Sequence, residues 1–353
     1  MSSQNKNASA FNYDEAITNY SKAIEKNPKD TKAYYTRGYA YYSKFEYDRA
    51  ISDYNKIIEI NPRHAKAYYA RGVSYHAKGK YDQAISDYSK AIDINPRHAK
   101  VYYHRAIAYR YKGKYEQALS DYRKTIEIDP KHSRAYYWRG LAYGSIGEHD
   151  RAISDYNKAI EINPKYANAY YERGNQHIHR GEYDKAISDF NMAIKLNPSN
   201  ADFYNNRGGA YHFKGQYNQA VDDFTKAIEI DSKDAKSYYN RAFSYGHKEE
   251  YDKAIIDFSR AIEINSKYVD AYINRGFAYS LKEQYDKAIL DYNRTIELNP
   301  KYGEAYYKRA IVYKERNDLK RAWEDVNKAL SLGYKVPIQF IVNLREGDQY
   351  ILL

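Results

Sequence analysis

The chain has 353 residues, no cysteine and a formal net charge of +11 at pH 7. This excludes disulfides, thiolate metal sites and cysteine nucleophiles, and it admits an acidic partner without specifying one. Mean hydropathy is −0.93, yet 16% of residues are aromatic and 46 residues are tyrosine, so apolar surface arrives on rings with a hydroxyl tip, suited to a thin core close to water.

Residues 1–10, MSSQNKNASA, lack an apolar central run, and no stretch approaches the roughly eighteen apolar residues of a membrane span. The sequence therefore reads as cytoplasmic, with no membrane contact. Residues 1–11 are expected to form a flexible N-terminal segment, and residues 12–30 carry one helical pattern only. From residue 31 to residue 336 a 34-residue period holds, in nine units beginning at Thr31, Ala65, Ala99, Ser133, Ala167, Ala201, Ala235, Val269 and Gly303. Residues 12–30 correspond to the second half of such a unit.

Each unit contains two helical patterns. Tyr68, Arg71, Gly72 and Tyr75 fall at i, i+3, i+4 and i+7, and Tyr81, Ala84, Ile85, Tyr88, Ala91 and Ile92 repeat that spacing. Lys78-Gly79 makes the turn inside the hairpin, and Asn95-Pro96 stops the second helix. A lone hairpin of this size cannot bury its apolar face, so neighbouring units must stack.

Tyrosine fills the Tyr68 register in all nine units, and the Tyr75 register in all but one, where His177 stands. Arginine is complete in the Arg71 register and aspartate in the Asp87 register. Opposite charges repeated on the two helices of each hairpin predict a ladder of ion pairs. The half unit lacks the arginine-bearing helix and carries Asn19 in the aspartate register, which places each pair within a unit.

At the C-terminal end Gly333 closes the last repeat helix, and Pro337 opens a pattern (Ile338, Ile341, Val342, Arg345) that predicts a capping helix and tail over 337–353. Ser232 and Ser266 replace the recurring proline, and "KEE" and "KEQ" replace the Lys-Gly turn in the following hairpins. Greater flexibility is expected across 230–285.

The 34-residue period, with Tyr68, Gly72, Tyr75, Ala84, Tyr88, Ala91 and Pro96 at fixed places, resembles the tetratricopeptide repeat family over residues 12–336. The resemblance implies an all-α, right-handed superhelical solenoid of antiparallel helix pairs. First helices would line an inner groove and second helices would face outward. The stripe Lys66, Tyr69, Ala70, Val73, His76 and Ala77 would then line the groove.

The Ala70 register carries Asn206, Asn240 and Asn274 in consecutive units. Spaced by about 10 Å, as packed helices are, their amides suit the backbone of an extended peptide. The Lys66 register is basic at first (Lys32, Lys66, Lys100, Arg134) and mostly acidic or neutral later (Asn168, Asp202, Lys236, Asp270, Glu304). It favours a ligand that is acidic toward the N-terminal units. Tyr171 and its counterparts add rings.

One unit departs most, at "YERGNQHIHRGEY". Asn175, His177 and His179 stand there in place of apolar residues or tyrosine, followed by Asn205, Asn206 and Gly209 in the next unit. These residues form the candidate specificity patch. No metal site is expected, since His177 and His179 at i, i+2 point to different helix faces. The family's clamp for acidic chaperone tails is not matched, because Tyr171 or Asn205 stands where its first lysine is required and no arginine occupies the Ala70 register.

No phosphate-cradling glycine loop or serine elbow occurs, so neither enzyme activity nor a cofactor is expected. The leading expectation is a scaffold or adaptor binding a protein or peptide. The alternatives are a nucleic-acid or other polyanion binder, disfavoured because lysine and arginine are spread among balancing acids, and the recruitment module of a larger enzyme complex. The uncovered side of the half unit offers a homo-oligomer contact.

Overall fold

The computed structural model describes residues 12–349, which form twenty α-helices and no strand. The expected flexible segment 1–11 and the last residues, 350–353, lie outside the described residues. No described helix is long and apolar enough to cross a membrane.

Helix α1 (Tyr13–Lys26) is followed by the pairs α2 (Thr31–Ser43) and α3 (Tyr47–Ile60), α4 (Ala65–Ala77) and α5 (Tyr81–Ile94), α6 (Ala99–Tyr111) and α7 (Tyr115–Ile128), and α8 (Ser133–Ser145) and α9 (His149–Ile162). Then come α10 (Ala167–His179) and α11 (Tyr183–Leu196), α12 (Ala201–Phe213) and α13 (Tyr217–Ile230), α14 (Ala235–His247) and α15 (Tyr251–Ile264), α16 (Val269–Leu281) and α17 (Tyr285–Leu298), and α18 (Gly303–Glu315) and α19 (Leu319–Ser331). Helix α20 (Ile338–Gln349) packs on α19 and buries Leu344.

The chain divides into two compact units, Met1–Gln176 and His177–Leu353. In the first, each helix packs against the next, and the first helices of successive pairs, α2, α4, α6 and α8, also touch one another. In the second, the same holds for α12, α14, α16 and α18. Both units thus present a continuous wall of first helices, the face on which the periodic sequence leaves residues free to vary.

Local chemistry explains the boundaries. Asn12 and Asp30 accept hydrogen bonds from the backbone N–H groups of Asp14, Glu15, Lys32 and Ala33 at 3.0–3.1 Å, satisfying donors that a helix start leaves open. His64 and His132 accept from the N–H of Ala67 and Ala135 at 3.1 and 3.2 Å. These loop histidines are therefore helix caps. Inside the hairpins Gly79, Gly113, Gly147, Gly181 and Gly215 take φ of 70–78°, whereas Phe45, Glu249, Glu283 and Asn317 occupy the equivalent turn at 56–64°.

The core is a small residue of the first helix facing a ring of the second. A Cβ added at Gly72, Gly140 or Gly208 would lie 2.7–2.8 Å from the ring of Tyr88, Tyr156 or Phe224. Those rings are essentially inaccessible to solvent. The tyrosine-rich composition thus supplies large rings that close the space left by missing side chains.

Candidate functional site

The frame that fixes the inner face is a chain of guanidinium contacts. Nε and a terminal nitrogen of Arg71 donate to both carboxylate oxygens of Asp87 at 2.8 and 2.6 Å. The same fork joins Arg37 to Asp53, Arg105 to Asp121, Arg139 to Asp155, Arg207 to Asp223, Arg241 to Asp257, Arg275 to Asp291 and Arg309 to Asp325. As the half unit indicated, partners lie sixteen residues apart within one hairpin.

Each ladder arginine also lies beside the ring in the Tyr68 register, 5.5–5.8 Å from its centroid. Burial pushes the Asp87 carboxyl above its usual range, and the Arg71 fork offsets this only in part. The pair consequently contributes little net stability but fixes one alignment of the two helices.

The third nitrogen does something that the periodicity did not reveal. It donates to a polar side chain of the preceding hairpin: Arg37 to Ser21 at 3.0 Å, Arg71 to Asn55 at 2.6 Å, Arg105 to Ser89 at 2.9 Å and Arg275 to Ser259 at 2.8 Å. Ladder and stacking are thus joined through one side chain. At α7 the receiving register holds Arg123, which donates to its own helix at Leu119 O. Among the described residues the Arg139 guanidinium accordingly hydrogen-bonds Asp155 alone.

On the inner face of the first unit, Lys32, Lys66, Lys100 and Arg134 are exposed, and none of them takes part in an ion pair among the described residues. Between them lies an aromatic floor. The Tyr69 ring meets the rings of His98 and His104 at 5.8 and 5.4 Å, and the Arg110 guanidinium lies 4.5 Å from the Trp138 ring centroid. Burial, reinforced by His76, His132 and Lys100, pushes His104 down to about 4. Tyr171 is partly buried, and Asn175 donates to Glu172 at 3.2 Å. Burial raises the Glu172 carboxyl.

In the second unit Asn205 is 3% exposed. Its amide nitrogen donates to Ser237 at 2.8 Å and Asp234 at 3.2 Å, and its oxygen accepts from Asn240 at 2.8 Å. Asn205 thus belongs to the packing between α12 and α14, and one N–H of Asn240 is committed to it. Asn274 donates to Tyr239 OH at 3.1 Å and to the Asp270 carbonyl at 2.9 Å. Asn206 is partly buried and His179 exposed, while His177 is buried with Nδ1 2.7 Å from Glu182.

Sequence reasoning missed one concave feature of this unit. A depression of about 440 Å³ opens between α14, α16 and α18, lined by Phe243, His247, Asn274, Phe277, Leu281 and Lys308. Phe243, Phe277 and Leu281 are 38%, 43% and 46% exposed, and Lys308 Nζ stands 4.3 Å from the Phe277 ring centroid. A Cβ at Gly246 would meet nothing within 4 Å, so the missing side chain keeps the mouth open. The signal was present: phenylalanine recurs at Phe243 and Phe277 in the Val73 register, the middle of the groove stripe.

Seven segments, 31–64, 65–98, 99–132, 133–166, 201–234, 235–268 and 269–302, match the family described as Tetratricopeptide repeat, and together they exceed half of the chain. Two related descriptions match 12–44 and 174–215, and 155–188 and 291–324. No curated protein matches the chain.

Among solved structures, the chain is similar to MamA at 33% identity, over 47% of this chain and 96% of that one, with a TM-score of 0.44. It is also similar to the C-terminal part of a TPR repeat-containing protein from Cytophaga hutchinsonii (19% identity, 68% and 98% covered, TM-score 0.58). A tetratricopeptide repeat protein from Parabacteroides merdae gives 24% identity, 70% and 94% covered, and a TM-score of 0.52.

Proposed function

The chain belongs to the tetratricopeptide repeat family, and from that premise we propose that it is a non-enzymatic adaptor holding an extended segment of another protein against its first helices. The carrying observation is the depression between α14, α16 and α18. Three large apolar side chains are left in water there, which a folded chain tolerates as a patch mainly where another molecule covers it. Asn274 on its wall and Asn240 and Asn206 along the same register supply amides for the backbone of such a segment, and a carboxamide keeps a carbonyl oxygen after donating its N–H groups. Asn205 supports this row from below by holding Asn240. His179 adds an exposed polar group to the second unit, and in the first unit Tyr171 and Asn175 vary the face while Lys66, Lys100 and Arg134 give it a basic edge.

The test compares proteins captured from a lysate by the intact chain, by the triple variant Asn206→Ala, Asn240→Ala, Asn274→Ala, and by Phe243→Ser, Phe277→Ser. Both variants are expected to lose the partner while keeping native helicity. An unchanged partner list with both would remove the assignment.

A further inference from the structure

Arg110 differs from the ladder arginines. Every guanidinium of the ladder described above is forked onto an aspartate, but Arg110 has no carboxylate within ion-pair distance among the described residues, and its Nε is buried with no hydrogen-bond partner there. It is nonetheless held in place. Its guanidinium carbon lies 4.5 Å from the Trp138 ring centroid and 5.0 Å from that of Tyr111, and Tyr111 is itself stacked on Tyr81 at 5.2 Å, with the planes 2° apart. Glu172, the acid in the Trp138 register, accepts from Asn175 and forms no ion pair among the described residues. A planar cation fixed on rings, with its charge uncompensated, is a preorganised receptor for an anion.

We propose that Arg110 is a specificity-determining residue that receives an aspartate or glutamate side chain of the segment bound in the first unit, with Lys32, Lys66, Lys100 and Arg134 receiving further carboxylates. The inference rests on the groove reading above and adds the chemistry of the guest. Spacing selects a peptide over nucleic acid. The four outer cations recur once per hairpin, about 10 Å apart, close to the span of one three-residue turn of a chain in the extended polyproline II conformation, which returns every third side chain to the same face. One acid in every third position would therefore meet a cation each time. A nucleic-acid strand carries a charge roughly every 3.4 Å along a duplex, and most of its phosphates would find no counter-charge here.

The chain holds two tryptophans, so the full-length Trp323→Phe variant reports from Trp138 alone. Its emission is titrated with a short acetylated peptide carrying glutamate at every third position, with the same peptide carrying glutamine, and with oligothymidine. The glutamate peptide is expected to bind at least about tenfold more tightly than its glutamine twin. Arg110→Gln should cut that difference at least about threefold, Arg110→Lys should retain more of it than Arg110→Gln, and Arg151→Gln on α9 should leave it intact, all with unchanged helical circular dichroism. Equal binding of the two peptides, or discrimination that Arg110→Gln leaves unchanged, would overturn the proposal. So would tighter binding of oligothymidine with a steep salt dependence. If these peptides fail while the asparagine triple variant still loses its captured partner, only this inference falls and the groove reading stands.

Discussion

Replacing Glu249 and Glu283 by glycine should stabilise the protein. Both occupy the hairpin turn at φ of 61° and 56°, where five other hairpins place glycine at 70–78°. A side chain in that left-handed region costs about 1–2 kcal/mol. Glycine returns about 0.5–1 kcal/mol of this through the greater freedom of the unfolded chain. Neither glutamate side chain is paired among the described residues and both are exposed, so no ion pair or hydrogen bond of theirs is lost. The net gain is about 0.5–1 kcal/mol per site, and the sites lie a full hairpin apart, so about 1–2 kcal/mol is expected for the double variant. Phe45 is a contrasting case, since its ring packs edge-on against Tyr47 at 6.3 Å and glycine there would forfeit that contact. Urea denaturation reads the effect as a higher midpoint at unchanged slope, and amide exchange over 245–285 should slow. A lower midpoint, or slower exchange elsewhere but not there, would refute the account of these turns and of the mobility expected for 230–285.

Three further outcomes follow from the packing. Tyr88, Tyr122 and Tyr156 are fully buried, with hydroxyls lacking a protein hydrogen-bond partner, and Phe190, Phe224 and Phe258 fill the same register elsewhere; each Tyr→Phe change should be neutral or raise stability by up to about 1 kcal/mol in thermal melts. Arg139→Ala and Asp155→Ala should each cost about 3–5 kcal/mol, and the double variant no more than either single, because the loss is that of a stranded buried charge; additive losses in denaturant would contradict the pairing. His104 is held near 4 by burial, against an ordinary value of 6.5, so the native state refuses a proton that the unfolded chain accepts. The stability it contributes is complete above about pH 6.5 and falls away toward pH 4, by about 3 kcal/mol; His104→Ala should flatten that part of the pH profile of the urea midpoint.

The hairpins, their turns and the arginine–aspartate pairing were legible in the sequence because each depends on residues a fixed distance apart in one unit. Contacts between units were less so. Except at Arg139, the third nitrogen of the ladder arginines reaches a register occupied by serine, asparagine or threonine, side chains that a sequence equally allows to be solvated. Asn205 and Asn206 are neighbours in the chain, but a helix turns about 100° per residue, and this rotation takes Asn205 into the packing and leaves Asn206 nearer the groove. The clue lay one unit on, at Ser237, where alanine usually recurs: a buried amide needs a buried partner. Phe243 and Phe277 fall in the Val73 register, on the stripe expected to line the groove, but periodicity gives a face and not a depth, and the space beside these rings, next to Gly246, is fixed by how neighbouring hairpins pack.

The substitution of Arg123 into the register that receives the guanidinium leaves α7 and α8 without the polar stitch found at the joints on either side in the first unit. In an array whose hairpins hold only their neighbours, a weak joint is not shared out over the whole. Under tension applied to the two ends of that unit, rupture should begin between these helices, so that mechanical load opens the molecule at a defined hairpin boundary instead of fraying it from the termini.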